Sequence, residues 1–199
     1  MIEEQLHDMC ASYFRVSART LMYELYRKRD DGELSGSSSR ERYISFINLL
    51  RTKDYNGYLK KQYPVLHRWL VTQTKYRIHL IEECLRNYEQ DLPKIKELFA
   101  FDDYMVKAIR VTSGDSHNGG KKVIAIETGS DKILYKPHDL SSEKLFNQII
   151  EVINSDSNIK YKLPTVKSIS ENDHSWQEFI ESKECESEDN IEIYYYKIF

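Results

Sequence analysis

This 199-residue chain has little with which to staple itself. Its three cysteines, Cys10, Cys84 and Cys185, are odd in number and show neither C-x-x-C nor Cys/His spacing. That excludes a disulfide framework and offers no tetrahedral zinc set, so three buried or reduced thiols are expected. His67 and His79 lie twelve apart with no third ligand at a suitable spacing, and no metal site is assigned to them. Long hydrophobic runs are absent too: no apolar stretch approaches the ~18 residues of a membrane span. The start, Met1-Ile2-Glu3-Glu4, is acidic where a secretory signal would be basic. A cytoplasmic location is the default expectation. Net charge is −3; residues 1–100 carry 17 Lys+Arg against 14 Asp+Glu, and residues 101–199 carry 12 against 18. Neither half has the basic footprint of a nucleic-acid binder. The acidic stretch from Glu171 to Glu192 reads as a solvated face or a loop.

What is present is a change of period. Leu6, Cys10, Tyr13, Ser17, Leu21 and Leu25 recur at helical spacing until Asp30-Asp31-Gly32. Ser38-x-x-Glu41 has capping-box spacing ahead of Tyr43, Phe46, Ile47 and Leu50. Pro64 opens a long helix with Trp69, Gln73, Tyr76, Leu80, Cys84 and Tyr88 on one stripe, and Asp91-Leu92-Pro93 punctuates it before a short helix to Phe99. From about residue 104 strands take over: Met105 to Thr112, Val123 to Ile126, and Ile133 to Lys136, where Pro137 removes the next ladder donor. A helix follows, with Ser141 expected as its N-cap and Leu145, Ile149, Val152 and Ile153 on its buried side. Thr165 to Ile169 and Trp176 to Ile180 read as strands, and from Ser187 the pattern fits a helix or a strand.

Three of the seven glycines, Gly114, Gly119 and Gly120, crowd into Gly114-Asp115-Ser116-His117-Asn118-Gly119-Gly120 between two of these strands. Glycines there permit positive φ and close backbone approach to an anion. The Walker pattern fails, because Gly120 stands where its lysine belongs and a strand, not a helix, follows. A hairpin tip is expected. Asp115 and His117 offer a carboxylate and a group that titrates near neutrality, which suits proton handling. A turn whose polar side chains cap their own backbone explains the same residues. Lys136, ending the returning strand, suits the lysine with which kinases orient phosphates, and Glu143 or Glu151 on the next helix would pair with it.

Gly-Asp-Ser-His-Asn-Gly-Gly-Lys-Lys-Val at 114–123, followed by Leu134-Tyr135-Lys136-Pro137, resembles the dehydratase domain of the type II lanthipeptide synthetases, the LanM family. Arg42-Tyr43-x-x-Phe46, Tyr63-Pro64-x-Leu66-x-Arg68 and Ser175-Trp176-Gln177-Glu178-Phe179 resemble segments in the same order there. The resemblance implies an α+β fold: a helical region over residues 1–103, then a lipid-kinase-like N-lobe over 104–199 with a β-hairpin glycine loop, incomplete because the family's catalytic loop comes later. It favours a helix from Ser187 onward.

The implied activity uses ATP and Mg2+ to phosphorylate Ser and Thr of a precursor peptide, then eliminates phosphate to leave dehydroamino acids, as in lantibiotic biosynthesis. Lys136, Gly114, Gly119 and Gly120 would face the nucleotide, Asp115 and His117 the substrate, and the magnesium ligands would lie downstream of this chain. His138 stands where the family commonly has Arg, and an imidazole lacks the guanidinium fork for phosphate. The expected partners are a precursor peptide and the C-terminal half of the synthetase. The alternative is a non-catalytic module of the same fold that binds a peptide or partner.

Overall fold

The computed structural model describes residues 2–112, 120–182, 184–185 and 187–198. Among these the order is four helices, three strands, a helix, two strands and a last helix, an α+β chain with its helical region first. It divides into two compact units, Met1–Ile78 and His79–Phe199.

The first unit is built from α1 (Ile2–Asp30), α2 (Ser39–Leu50), α3 (Lys53–Gln62) and the start of α4 (Pro64–Leu98). Helix α1 ends where expected: Gly32 takes φ +70°, and its N–H bonds the Arg29 carbonyl. The capping box of α2 also forms, with Ser38 Oγ accepting from the Glu41 N–H while the Glu41 carboxylate accepts the Ser38 N–H. No periodic run marks residues 51–63, yet α3 forms there, capped by Thr52. Its apolar stripe is short and makes sense only in place, where Tyr55, Tyr58 and Leu59 pack with Leu25, Leu34 and Phe46.

That small core surrounds a buried charge. Glu24 is fully buried. Its carboxylate accepts from Tyr55 Oη at 2.7 Å, Tyr63 Oη at 2.5 Å and Arg27 at 2.9 Å. Burial alone would raise the Glu24 pKa, but the Arg27 and tyrosine donors outweigh it and hold the carboxyl below its usual range. A carboxylate this deep is tolerable only because it is paired and bonded.

In the second unit the end of α4 lies under a five-stranded antiparallel sheet ordered β1-β2-β3-β5-β4. The strands are β1 (Val106–Val111), β2 (Ile124–Thr128), β3 (Asp131–Lys136), β4 (Ser168–Ser170) and β5 (Ser175–Glu178). Helix α5 (Ser141–Asn154) joins β3 to β4, and α6 (Glu188–Ile198) shows that the helix reading of the last segment holds. One face of the sheet, with Ile109, Ile124, Ile126, Ile133, Tyr135 and Trp176, packs on Leu80, Cys84, Tyr88 and Ile95. Cys84 is buried, and burial pushes its thiol pKa up, away from reactivity.

Three expectations need correction. Pro93 does not interrupt α4, which runs unbroken to Leu98. A mid-helix proline costs about 3 kcal/mol. Here Ile95 and Phe99, both buried, hold the last turn in the core and offset it. Ser141 is not the cap of α5; it is the first helical residue, and the Asp139 carboxylate accepts its N–H at 2.9 Å. The stripe of α5 is not buried either: Leu145 is 59% exposed, Ile149 49%, Val152 74% and Ile153 38%, and Ile150 is the buried residue. Helical spacing gives the stripe but not what covers it.

At the centre of this unit Asp91 is 2% exposed. Its Oδ2 meets His174 Nε2 at 2.7 Å and Trp176 Nε1 at 2.9 Å, and His174 Nδ1 meets Asp173 at 2.7 Å. Burial lowers the His174 pKa, but the Asp91 and Asp173 carboxylates outweigh it, so the imidazole titrates above its ordinary value. The His174 contact holds the Asp173 carboxyl below its own usual range. A raised histidine pKa gives stability that is complete below the unfolded value of ~6.5 and is lost as pH rises through the folded one. The Asp173 part is lost instead as pH falls through its lowered value. The melting temperature should therefore drop as pH is raised above ~6.5. His174→Gln should remove that slope; an unchanged slope in the variant would show that another group carries it.

Candidate functional site

Strand alternation places the site. On β3, Ile133 and Tyr135 enter the core, so Leu134 and Lys136 lie on the opposite face. Register pairs Lys136 with Ser175, Tyr135 with Trp176 and Leu134 with Gln177. Since Trp176 is in the core, Gln177 falls on the same face as Lys136. The first turn of α5 brings Glu143 to that face. Lys136 Nζ donates to Glu143 Oε1 at 3.2 Å, and Gln177 Nε2 donates to Glu143 Oε2 at 2.8 Å. The open choice between Glu143 and Glu151 is thus resolved for Glu143, whose two oxygens are held by two different strands.

The start of α5 is tied down as well. The Asp139 carboxylate accepts the Ser141 and Ser170 hydroxyls, and the Leu140 N–H donates to Ser170 Oγ at 2.9 Å. Ser175 Oγ donates to the His138 carbonyl at 2.6 Å. These bonds fix the link between Lys136 and Glu143, so the pair meets without ordering a flexible segment.

The glycine segment lies between β1 and β2, which pair antiparallel up to Val111 and Ile124, with the Thr112 N–H on the Val123 carbonyl at 2.9 Å. Gly120 has φ +90°, a conformation that a side chain would strain. Gly114, Asp115, His117 and Gly119 lie outside the described residues. Next to Gly120, Lys121 Nζ pairs with Glu83 on α4 at 3.0 Å, and Glu83 is 3.5 Å from Tyr135 Oη. Asn87 donates to Tyr135 Oη at 3.0 Å. Burial raises the Tyr135 pKa, so its hydroxyl stays protonated. Two lysine–glutamate pairs thus flank β3, Lys121–Glu83 on the α4 side and Lys136–Glu143 on the other.

Among the described residues Lys136 spends one of its three donors on Glu143, and its side chain retains 17% of its exposure. Such an ammonium can hold an anion such as a phosphate while Glu143 keeps it aimed. Among the described residues no three His, Cys, Asp or Glu side chains group as metal ligands. The pairing of Lys136 with a glutamate of the next helix and the positive φ of Gly120 were legible from sequence. Glu83, Lys121 and Gln177 were not assigned: Glu83 sits on a helix remote in sequence, and only its register beside Trp176 gives Gln177 away.

With this geometry in view, residues 63–198 match the sequence model of the family described as "Domain of unknown function (DUF4135)", and the chain belongs to that family. Among curated proteins it is similar to the lacticin 481/lactococcin biosynthesis protein LcnDR2 of Lactococcus lactis subsp. lactis, 26% identical over 206 residues. That similarity runs over 100% of this chain and 22% of the relative, so the chain spans about a fifth of that protein's length. Both matches agree with the resemblance to the N-terminal part of the type II lanthipeptide synthetases.

The buried Asp91 system and the partly exposed Lys136–Glu143 pair should respond differently to mutation. Glu143 keeps 41% of its side-chain exposure. Lys136→Ala or Glu143→Ala should therefore cost less than about 1 kcal/mol in urea unfolding. Asp91→Ala, which strands the His174 imidazole and the Trp176 indole, should cost about 3 kcal/mol or more. Equal losses would make Lys136–Glu143 a structural pair rather than a site.

Proposed function

We propose that this chain is the nucleotide-facing N-terminal part of a lanthipeptide dehydratase, with residues 104–199 acting as a kinase-like N-lobe. The observation that carries the reading is the Lys136–Glu143 pair on the central strand, held by Gln177 and lying in the same sheet as the strands that flank the glycine segment. ATP would supply the phosphoryl group, and an ammonium aimed by Glu143 suits its phosphates. Lys136 orients the phosphates as a point charge; Glu143 and Gln177 keep it in place. Asp115 and His117 act on the substrate side, where a carboxylate and an imidazole handle the protons of hydroxyl activation and of elimination. The magnesium ligands belong to a later part of the longer protein.

The similarity to a lantibiotic biosynthesis protein of greater length supports a precursor peptide as substrate and further residues as partners. The alternative, a non-catalytic module that binds a peptide or partner, has one observation in its favour: the apolar stripe of α5 is exposed, with Phe146 at 61% and Val152 at 74%. On the enzyme reading that stripe faces the later half.

The 199-residue chain should bind a fluorescent ATP analogue, and Lys136→Ala should lower its affinity by about tenfold or more. Incubated with ATP, Mg2+ and a precursor peptide, the chain alone should add no phosphate and remove no water by mass spectrometry. In the longer protein, Lys136→Ala should leave the peptide unmodified, whereas Asp115→Ala and His117→Ala should let phosphopeptide accumulate. Nucleotide affinity indifferent to Lys136, or full dehydration by all three variants, would end the enzyme reading.

A further inference from the structure

We propose that Glu83 is a positioning residue for the nucleotide site: by holding Lys121 against α4 it fixes the backbone at the end of the glycine segment, without itself touching the ligand. This role rests on the nucleotide-facing reading of the same site. Glu83 and Asn87 stand four apart on α4, on one helix face. A single oxygen, Glu83 Oε1, accepts from Lys121 Nζ at 3.0 Å and lies 3.5 Å from Tyr135 Oη. Asn87 Nδ2 donates to Tyr135 Oη at 3.0 Å, which leaves the hydroxyl proton for Glu83. Tyr135 is fully buried, and burial raises its pKa, so that proton stays in place. Both partners of the Lys121–Glu83 pair are half-buried. The carboxylate is thus held on one side by a fixed strand and holds a lysine on the other.

The faces of the sheet decide between contact and positioning. Lys121 spends its charge on the α4 side, whereas Lys136 meets Glu143 and Gln177 on the opposite face. What Lys121 contributes to a ligand on the Lys136 face therefore passes through the backbone it belongs to. Its neighbour in the chain is Gly120, at φ +90°. Glycine backbone loses more freedom on ordering than any other, and an N–H serves an anion only when its direction is set. An ion pair on the very next residue removes part of that ordering cost before a ligand arrives. The oxygen that holds Lys121 also meets Tyr135, the residue directly before Lys136. One carboxylate on a rigid helix thereby references both the end of the glycine segment and the end of the lysine strand.

The test titrates the full chain with a fluorescent ATP analogue and Mg2+, then displaces the analogue with ATP or with adenosine, which has no phosphate. Glu83→Gln keeps the shape of the side chain and removes its charge; it should weaken ATP about tenfold and leave adenosine unchanged. Lys121→Met should do the same, and the double variant should bind ATP no more weakly than either single one, because the two side chains act as a unit. Lys121→Arg keeps the charge and should keep ATP affinity. Circular dichroism and the urea midpoint establish that each variant is folded. ATP affinity unchanged in Glu83→Gln and Lys121→Met, but lost in Lys136→Ala, overturns the positioning role and leaves the nucleotide reading standing. Equal weakening of ATP and adenosine makes the pair structural and overturns the role as well. Nucleotide binding that is absent, or indifferent to Lys136→Ala, sinks the nucleotide reading and the role with it.

Discussion

One buried carboxylate organises the second unit. Asp91 is out of water, and an ionised carboxylate there is tolerable only with donors in place. It takes them from His174 and Trp176, residues more than eighty positions later in the chain. With Trp176 bound to Asp91 and packed against Tyr88 and Tyr135, β5 has one register on β3. A slip of one residue would turn Trp176 out of the core and Gln177 into it. The polar bond on the inner face therefore decides which side chain meets Glu143 on the outer one.

The first unit uses the same device in a different setting. Glu24 gathers Arg27, Tyr55 and Tyr63 from α1, α3 and the junction before α4, so a helix with little periodicity of its own is held by a charge it helps to bury. Low intrinsic amphipathicity is offset by tertiary bonds. Each unit thus specifies its helix or strand placement through a compensated acid, while the Lys136–Glu143 pair remains partly exposed, where an ion pair contributes little to folding.

Legibility followed range. Local signals were read correctly: the capping box at Ser38, the stop at Gly32, the strand ending at Lys136 and the α+β order with helices first. Pro93 was misread because the rule for proline is local, whereas the burial of Ile95 and Phe99 that overrides it comes from the sheet. The α5 stripe was misread because an apolar period states that a face exists and says nothing of what lies against it. Lys136 and Gly120 carried local signals, in a strand end and in a glycine-rich run. Gln177 and Glu83 carried none, because neither is near Lys136 or Lys121 in the chain.

The sequence by itself determined the kinds of element and their order apart from α3, and a glycine segment followed by a lysine-terminated strand, since backbone propensity, capping and side-chain period act within a few residues. Its motifs also carried the resemblance to lanthipeptide synthetases. Only the tertiary structure decided that Glu143 rather than Glu151 pairs with Lys136, that Gln177 holds that glutamate, and that Lys121 is tied to α4. Those outcomes depend on strand register, and the register depends on a buried acid and an indole eighty-five residues apart satisfying each other.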